Sequence, residues 1–559
     1  VYKRQVFNGQ SIIEHHSHLR GIPIGPDNYF GQLVPEHGAF MEEIPLDISL
    51  FRIPPNEIPD ILPQHLLMMK LCRNALIDAG VPLREKRPRM GVMVGADFDF
   101  EATNFHLRWI VNESIRRWEK KHELNPQDPN AAEWIRTLRS SVSPPLTSNR
   151  TLGALPSVIA SRIAKEFLLG GPSFVVSCEE ASGIKALEIG VRALQDDDTD
   201  MMLVGAVDFT GDLRYLVTRH RIKPYSGDAS VLPFGSSARG TLPGEGGTAL
   251  VLKRLEDALA EKDRIYATIN GFGSAGGTTT NMGGVSPEAY RMSLEHAMRE
   301  AEIDLSGISL FEAHGSGLHT DDAIESNVLN ALSTDTGLHC AVNSTKPIVG
   351  HLGAASGLSS LVKTSLCLYH TLIPPIPDYR WPGENTWEGC FHIPIKPQYW
   401  FRNRESGPRR ACMGVVTSDG NCTHVLLEEH EAAGGISVPE IAPDRLRPLG
   451  YQAGGLFVVE GDHDQEIIEG LGALKNQIRK GVSRGLPMEL IARIWYEKMA
   501  CGPGKKKALS LVFRDTHEAE NEIIKAERLI VSGDRDTAPG RANIFFTPEP
   551  LGASAGIAF

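Results

Sequence analysis

Residues 171–207 read GPSFVVSCEEASGIKALEIGVRALQDDDTDMMLVGAV, and this stretch decides the fold class. Phe174–Val176 is a short aromatic and β-branched run of the kind that fits an extended strand. From Ala181 to Leu194 the apolar residues fall at helical spacing, Asp196-Asp197-Asp198 makes a solvated turn, and Met201–Val207 is apolar again. Strand, helix and strand in that order form a βαβ unit. An α/β fold with buried strands is therefore expected.

Upstream, a Pro-rich loop (Pro54, Pro55, Pro59, Pro63) leads into Leu66–Ala79, whose spacing predicts a helix stopped by Gly80. Gly91–Ala96 then reads as a short buried strand. Residues 97–150 are polar, carry Trp109, Trp118 and Trp134, and read as an insertion covering the core. Downstream, glycine clusters at 244–247, 271–277 and 350–357 match neither a P-loop nor a dinucleotide fingerprint, and mark turns or close packing. After Glu429-His430 the texture becomes rich in Gly, Ala and Pro, as linkers are. A smaller α/β segment follows, with Gly461–Lys480 and Glu518–Leu529 expected as helices and Ala508–Phe513 as a strand.

Composition narrows the function classes. The 559 residues are 41% hydrophobic and 23% charged, which suits a globular chain with a large core. The net charge of −12 and the absence of a basic tract beyond Lys505–Lys507 speak against a nucleic-acid partner. No apolar run approaches the ~18 residues of a membrane span. Eight scattered cysteines without a CxxC pair fit neither a disulfide framework nor a zinc site, so a cytoplasmic location is expected and no metal. The cluster Glu14-His15-His16-Ser17-His18 reads as surface. The chain starts at Val1 without a methionine and ends Gly556-Ile-Ala-Phe559, and is expected to be a piece of a longer multienzyme.

Two segments carry chemistry. One is Glu312-Ala-His314-Gly-Ser-Gly leading to Asp322-Ala-Ile-Glu325; the other is Asn343-Ser-Thr-Lys346-Pro-Ile-Val-Gly-His351-Leu-Gly-Ala-Ala-Ser-Gly357. A lone buried histidine is usually structural. Two histidines flanked by glycine, with a lysine five residues ahead of the second, are hard to explain as packing.

These segments resemble the two histidine motifs of β-ketoacyl synthases, EAHGTGT…GDPIE and SxKxxxGHxxAAAG. The resemblance runs from about residue 7 to 430 and includes Phe51-Arg-Ile-Pro-Pro, Gly171-Pro-Ser173, Pro233-Phe234 and Gly244-Glu-Gly246. It looks closest to synthases of polyunsaturated fatty acids and iterative polyketides. It implies a thiolase-like five-layer αβαβα ketosynthase domain over 1–430, with its N-terminal strand truncated. A small α/β linker domain over 431–550 and the first strand of a downstream acyltransferase domain over 551–559 would follow. The implied substrate is an acyl or malonyl group on the phosphopantetheine arm of an acyl carrier protein, with no bound cofactor. The implied partners are that carrier protein and a second ketosynthase-fold chain, equal or different.

The family's nucleophile is a cysteine at the start of a helix, in the motif GPSxxVDTACSS. Aligned without a gap from Gly171-Pro172-Ser173, that position falls on Glu180, while Cys178 stands two residues early. A carboxylate cannot carry an acyl chain as a thioester. His314 and His351, with Lys346 beside them, would still offer donors to a thioester oxygen. Burial should raise the pKa of Glu180, whereas the helix terminus and Lys346 should lower it. The family's gating Phe is replaced by Ser418 within Thr417-Ser-Asp-Gly-Asn-Cys422. Three readings stay open: a non-condensing chain-length-factor component, a decarboxylating priming domain, and a condensing enzyme that uses Cys178.

Overall fold

A computed structural model describes most of the chain: 34–41, 43–122, 127–277, 284–333, 340–379, 391–402, 407–430, 454–498, 505–532, 543–547 and short stretches within 7–23 and at 125. Of the linker-like stretch expected at 431–455, residues 431–453 lie outside the described residues, as does the strand expected at 551–559. The chain divides into two compact units, Val1–His430 and Glu431–Phe559.

In the first unit, the strand read from Gly91–Ala96 is β1 (Met90–Ala96), buried at every position. It is central because it pairs in parallel with both β2 (Ser173–Val176) and β3 (Met201–Asp208). Antiparallel β4 (Gly246–Lys253) completes a four-stranded sheet of order β2-β1-β3-β4. One outer face is covered by α1 (Pro63–Asp78), which starts at Pro63 rather than Leu66 because proline suits the first helical turn. Further helices of this unit are α2 (Asn104–His122), α3 (Pro129–Val142) and α4 (Val158–Phe167). α4 lies beside α1, and together they close a core around Met68, Val92, Val94, Ile159 and Ile163. The insertion at 97–150 is built largely from α2 and α3.

The helix predicted at 181–194 is α5 (Ser182–Gln195), entered through a 3-10 turn at Glu179–Ala181. α6 (Leu213–Ile222) follows β3. The second half begins with β5 (Thr268–Ala275), α7 (Pro287–Ala301), β6 (Leu310–Glu312) and α8 (His319–Ser333). It continues with β7 (Cys340–Asn343), α9 (Ser356–His370), β8 (Phe391–His392), β9 (Arg410–Val416) and β10 (Cys422–Glu428). These strands form a six-stranded sheet of order β8-β7-β6-β9-β10-β5. α7 covers its outer face.

Between the sheets, α5 packs on β1 and β3, α9 packs on β9, and the two helices pack on each other. The order is helix, sheet, helix pair, sheet, helix. Glycines permit that closeness: a Cβ on Gly183 would stand 2.8 Å from Ala206 Cβ and 2.9 Å from Leu358 Cβ. One on Gly357 would stand 2.6 Å from Ile184 Cγ1. The layering makes the N-termini of α5 and α9 neighbours, and that junction holds the site.

The second unit is an antiparallel sheet of β11 (Gly455–Gly461), β12 (Lys507–Phe513) and β13 (Ile544–Thr547) in that order. It carries α10 (Asp464–Ser483), α11 (Met488–Lys498) and α12 (Thr516–Ser532). Its core includes Phe457 and Phe513, stacked at 4.3 Å, with Leu471, Trp495 and Leu511. Gly461, expected to start a helix, instead ends β11, because Gly455–Gly461 alternates buried and less buried positions, as a half-covered strand does.

Candidate active site

β2 ends at Val176, and the chain turns sharply into α5 through Cys178 and the 3-10 turn. Glu179 sits at φ +45°, in the left-handed region that costs a side-chain-bearing residue of order 1 kcal/mol or more. Ser182 braces this turn: its hydroxyl donates to Glu179 O at 2.6 Å and accepts from Cys178 N–H at 2.8 Å. The result is that Glu180 points inward and is buried.

Glu180 is held from three sides. Arg219 of α6 forms an ion pair with Oε1. Ser418, in the loop between β9 and β10, donates its N–H to Oε2 at 3.2 Å and its hydroxyl to Oε1 at 3.2 Å. His351 Nε2 lies 3.5 Å from Oε1. Burial pushes the Glu180 carboxyl up, but the Arg219 charge and the His351 contact outweigh it, and the carboxyl ends well below its ordinary range. Glu180 is thus an ion at neutral pH. Arg219 does the work expected of Lys346.

Lys346 instead faces the His314 loop. Its ammonium donates to the His314 carbonyl oxygen and lies 3.4 Å from His314 Nδ1. Burial lowers it to about 8. The backbone N–H of Val416 also donates to His314 Nδ1, at 3.2 Å, which assigns that nitrogen as acceptor and leaves the proton on Nε2. His351 is set likewise: Gly353 N–H donates to its Nδ1 at 3.2 Å, so its Nε2–H is directed at Glu180. Burial is the largest cause holding both imidazoles neutral, His351 at about 4 and His314 well below its usual value.

Glu325 organises this second loop. Its carboxylate accepts the N–H groups of His314 and Gly315, each at 2.9 Å, and the Tyr290 hydroxyl at 2.6 Å. Behind it, Lys363 meets Glu312 at 2.9 Å and Asn343 Oδ1 at 2.8 Å. Glu180, His314, Lys346 and His351, read from the sequence, are therefore brought together. Arg219 was missed because it lies on a helix that no motif marks. The signal was indirect: a buried glutamate at a helix start requires a cation.

Cys178 stands apart from these groups in character. Its thiol is half-buried, and burial, with Asp419, Glu179 and Glu180 around it, pushes its pKa up despite Lys185. Thiolate formation is disfavoured there. Trp109, Trp118 and Trp134 are each more than 40% exposed, with Trp118 and Trp134 ring centres 6.2 Å apart, so they do not serve as core under a cap. Among the described residues, no cluster of three His, Cys, Asp or Glu side chains is placed to hold a metal. No described helix is long and apolar enough to cross a membrane.

Residues 4–258 match the family profile of the β-ketoacyl synthase N-terminal domain, and residues 266–380 that of its C-terminal domain. A polyunsaturated fatty acid synthase polypeptide of Thraustochytrium sp. is 27% identical over 94% of this chain and 25% of its own length. Polyketide synthase PksL of Bacillus subtilis is 27% identical over 83% of this chain and 10% of its own. The chain thus spans from a tenth to a quarter of these relatives. In fold, it superposes on the ketosynthase from module 6 of the bacillaene synthase of Bacillus subtilis 168 with a TM-score of 0.64, at 22% identity, covering 98% of this chain and 84% of that one. An oxazolomycin ketosynthase domain from Streptomyces albus gives 0.62 at 19% identity, covering 97% and 89%. The fold is the thiolase-like ketosynthase fold, and the chain belongs to the β-ketoacyl synthase family.

Proposed function

We propose that this chain is a non-condensing, chain-length-factor-type component of a fatty acid or polyketide synthase. The observation that carries this reading is the buried ion pair of Glu180 with Arg219, Glu180 being the residue that the ungapped alignment from Gly171 sets at the family's nucleophile position. A carboxylate engaged by a guanidinium has no thioester chemistry. The pair also explains why the histidines and lysine are retained without condensation. His351 gives its Nε2–H to Glu180, while Lys346 and Val416 fix the His314 loop. They are the polar frame of the ion pair.

The same geometry weighs against decarboxylation. That step needs two N–H donors on the thioester oxygen as an enolate forms, and one of them is spent on Glu180. A guanidinium nearby would also stabilise the malonyl carboxylate in the ground state, which raises the barrier to losing it as carbon dioxide. Use of Cys178 is disfavoured by its raised thiol pKa.

On this reading the chain works in the cytoplasm beside an active ketosynthase-fold partner. Among the described residues β2 has no strand on its outer side, and that edge, with Phe174 40% exposed, offers a pairing surface for the partner. The phosphopantetheine arm of an acyl carrier protein is a substrate arm delivered to the pair, and no bound cofactor is called for. A downstream acyltransferase domain would follow in the parent chain. Incubation with acyl- and malonyl-carrier protein checks the central claim. Intact-mass analysis should find no acyl adduct, and carbon dioxide release should stay at the level without protein. An adduct on Cys178, or release abolished in His351→Ala, would each overturn it.

A further inference from the structure

Arg219 and Lys223 are four residues apart, on α6 and at its C-terminal end, and leave the same face of the helix. Lys223 reaches Asp321 at the start of α8, at 2.8 Å. Arg219 reaches two elements at once: one guanidinium nitrogen pairs with Glu180 in the turn at 178–181, and another donates to Ser418 Oγ. Ser418 completes the circuit, because its N–H donates to Glu179 Oε2 at 2.8 Å as well as to Glu180, and its hydroxyl donates to Glu180. The loop is also tied within itself. Thr417 N–H donates to Asn421 O at 2.9 Å, Gly420 N–H to Thr417 O at 3.0 Å, and Asn421 N–H to Thr417 Oγ1 at 3.0 Å.

We propose that Arg219 is a positioning residue that latches the loop at 417–421 onto the turn at 178–181, so that Glu180 stays covered against a carrier-borne acyl chain. A planar fork is needed, since only a guanidinium presents several N–H donors in fixed directions to a carboxylate and a hydroxyl together. A small side chain at 418 is needed too, because the hydroxyl must accept from Arg219 and donate to Glu180 at the same time. Ser418 stands where the family resemblance implies a gating phenylalanine, and its contacts make it a fastened strut. Its functional meaning rests on the non-condensing reading: a condensing site must open for the acyl chain, whereas a non-condensing one loses nothing by staying closed.

Hydrogen–deuterium exchange on the full chain tests the latch, with peptides covering 414–422 compared with those covering the neighbouring strand 422–428. In Arg219→Met, exchange over 417–421 should rise about tenfold or more while the strand keeps its protection. Arg219→Lys restores the charge without the fork and should leave exchange faster than wild type. Should Arg219→Met fail to fold, the double variant E180Q/R219M removes both charges and should show the same local rise. Loop exchange equal to wild type in these folded variants, or already fast in wild type, overturns the proposal. Decarboxylation of malonyl-pantetheine by a wild type with a slowly exchanging loop would sink the chain-length-factor reading and the closure of the site together, leaving only the tie between Arg219 and Ser418. A fast loop without chemistry would overturn the latch and leave the chain-length-factor reading standing.

Discussion

Glu180 differs from a cysteine in what its surroundings must supply. A buried thiol can stay neutral, but a buried carboxylate held ionised needs a cation and hydrogen-bond donors, and Arg219, Ser418 and His351 provide them. Removing one member strands the other. Glu180→Gln or Arg219→Met alone should destabilise the first unit by about 3–5 kcal/mol, whereas the E180Q/R219M pair should cost clearly less than the sum. Denaturant titration of the three variants measures this. Additive losses would mean the pair is not coupled as drawn. Glu180, both histidines and the lysine could be picked out in the sequence because they sit in contiguous motifs. The direction of the Glu180 pKa could not, because it depends on Arg219, 39 residues further along on a helix with no distinguishing pattern. A side chain's partner across the fold leaves no local trace.

The elements were legible where hydrophobic period and punctuation agreed, as in β1, α5 and β3. They were not legible where tertiary packing alone selects the conformation, as in β11, whose Gly461 reads as the start of the helix that follows. The middle layer is a further case. Gly357 belongs to a cluster read as turns or close packing, whereas Gly183 carries no such mark, and both set how closely α5 and α9 approach. Gly357→Ala would push a methyl to 2.6 Å from Ile184 Cγ1 and 3.0 Å from Val415 Cγ2, so a loss of about 1–3 kcal/mol is expected. Gly472 in α10 is the control. No described atom lies within 4 Å of its Cβ direction, and alanine there should stabilise the helix by about 0.5–1 kcal/mol. Equal effects at the two positions would show that helix propensity, not close approach, governs Gly357.

At the scale of the molecule, burial of neutral imidazoles sets the response to acid. His65, on α1, is fully buried, and neither ring nitrogen has a hydrogen-bond partner among the described residues; burial lowers its pKa to about 3. His351 and His424 lie at about 4 and about 3, again chiefly through burial. Below the ordinary pKa of about 6.5 the unfolded chain takes up these protons and the folded chain does not, so stability falls with falling pH. Buried Asp208 and Asp322 act in the opposite sense. Burial raises them to about 8 and about 7, so the folded state holds their protons where the unfolded state has released them. A single substitution isolates one contribution from this balance. His65→Leu removes a group that costs nothing extra at pH 8 but roughly 2 kcal/mol at pH 5, from about 1.5 pH units at about 1.4 kcal/mol each. The stability of His65→Leu relative to wild type should therefore improve by about that amount between pH 8 and pH 5, read from denaturant midpoints at the two values. A difference independent of pH would mean that His65 is protonated in the folded protein, and that the core between α1 and α4 admits a charge.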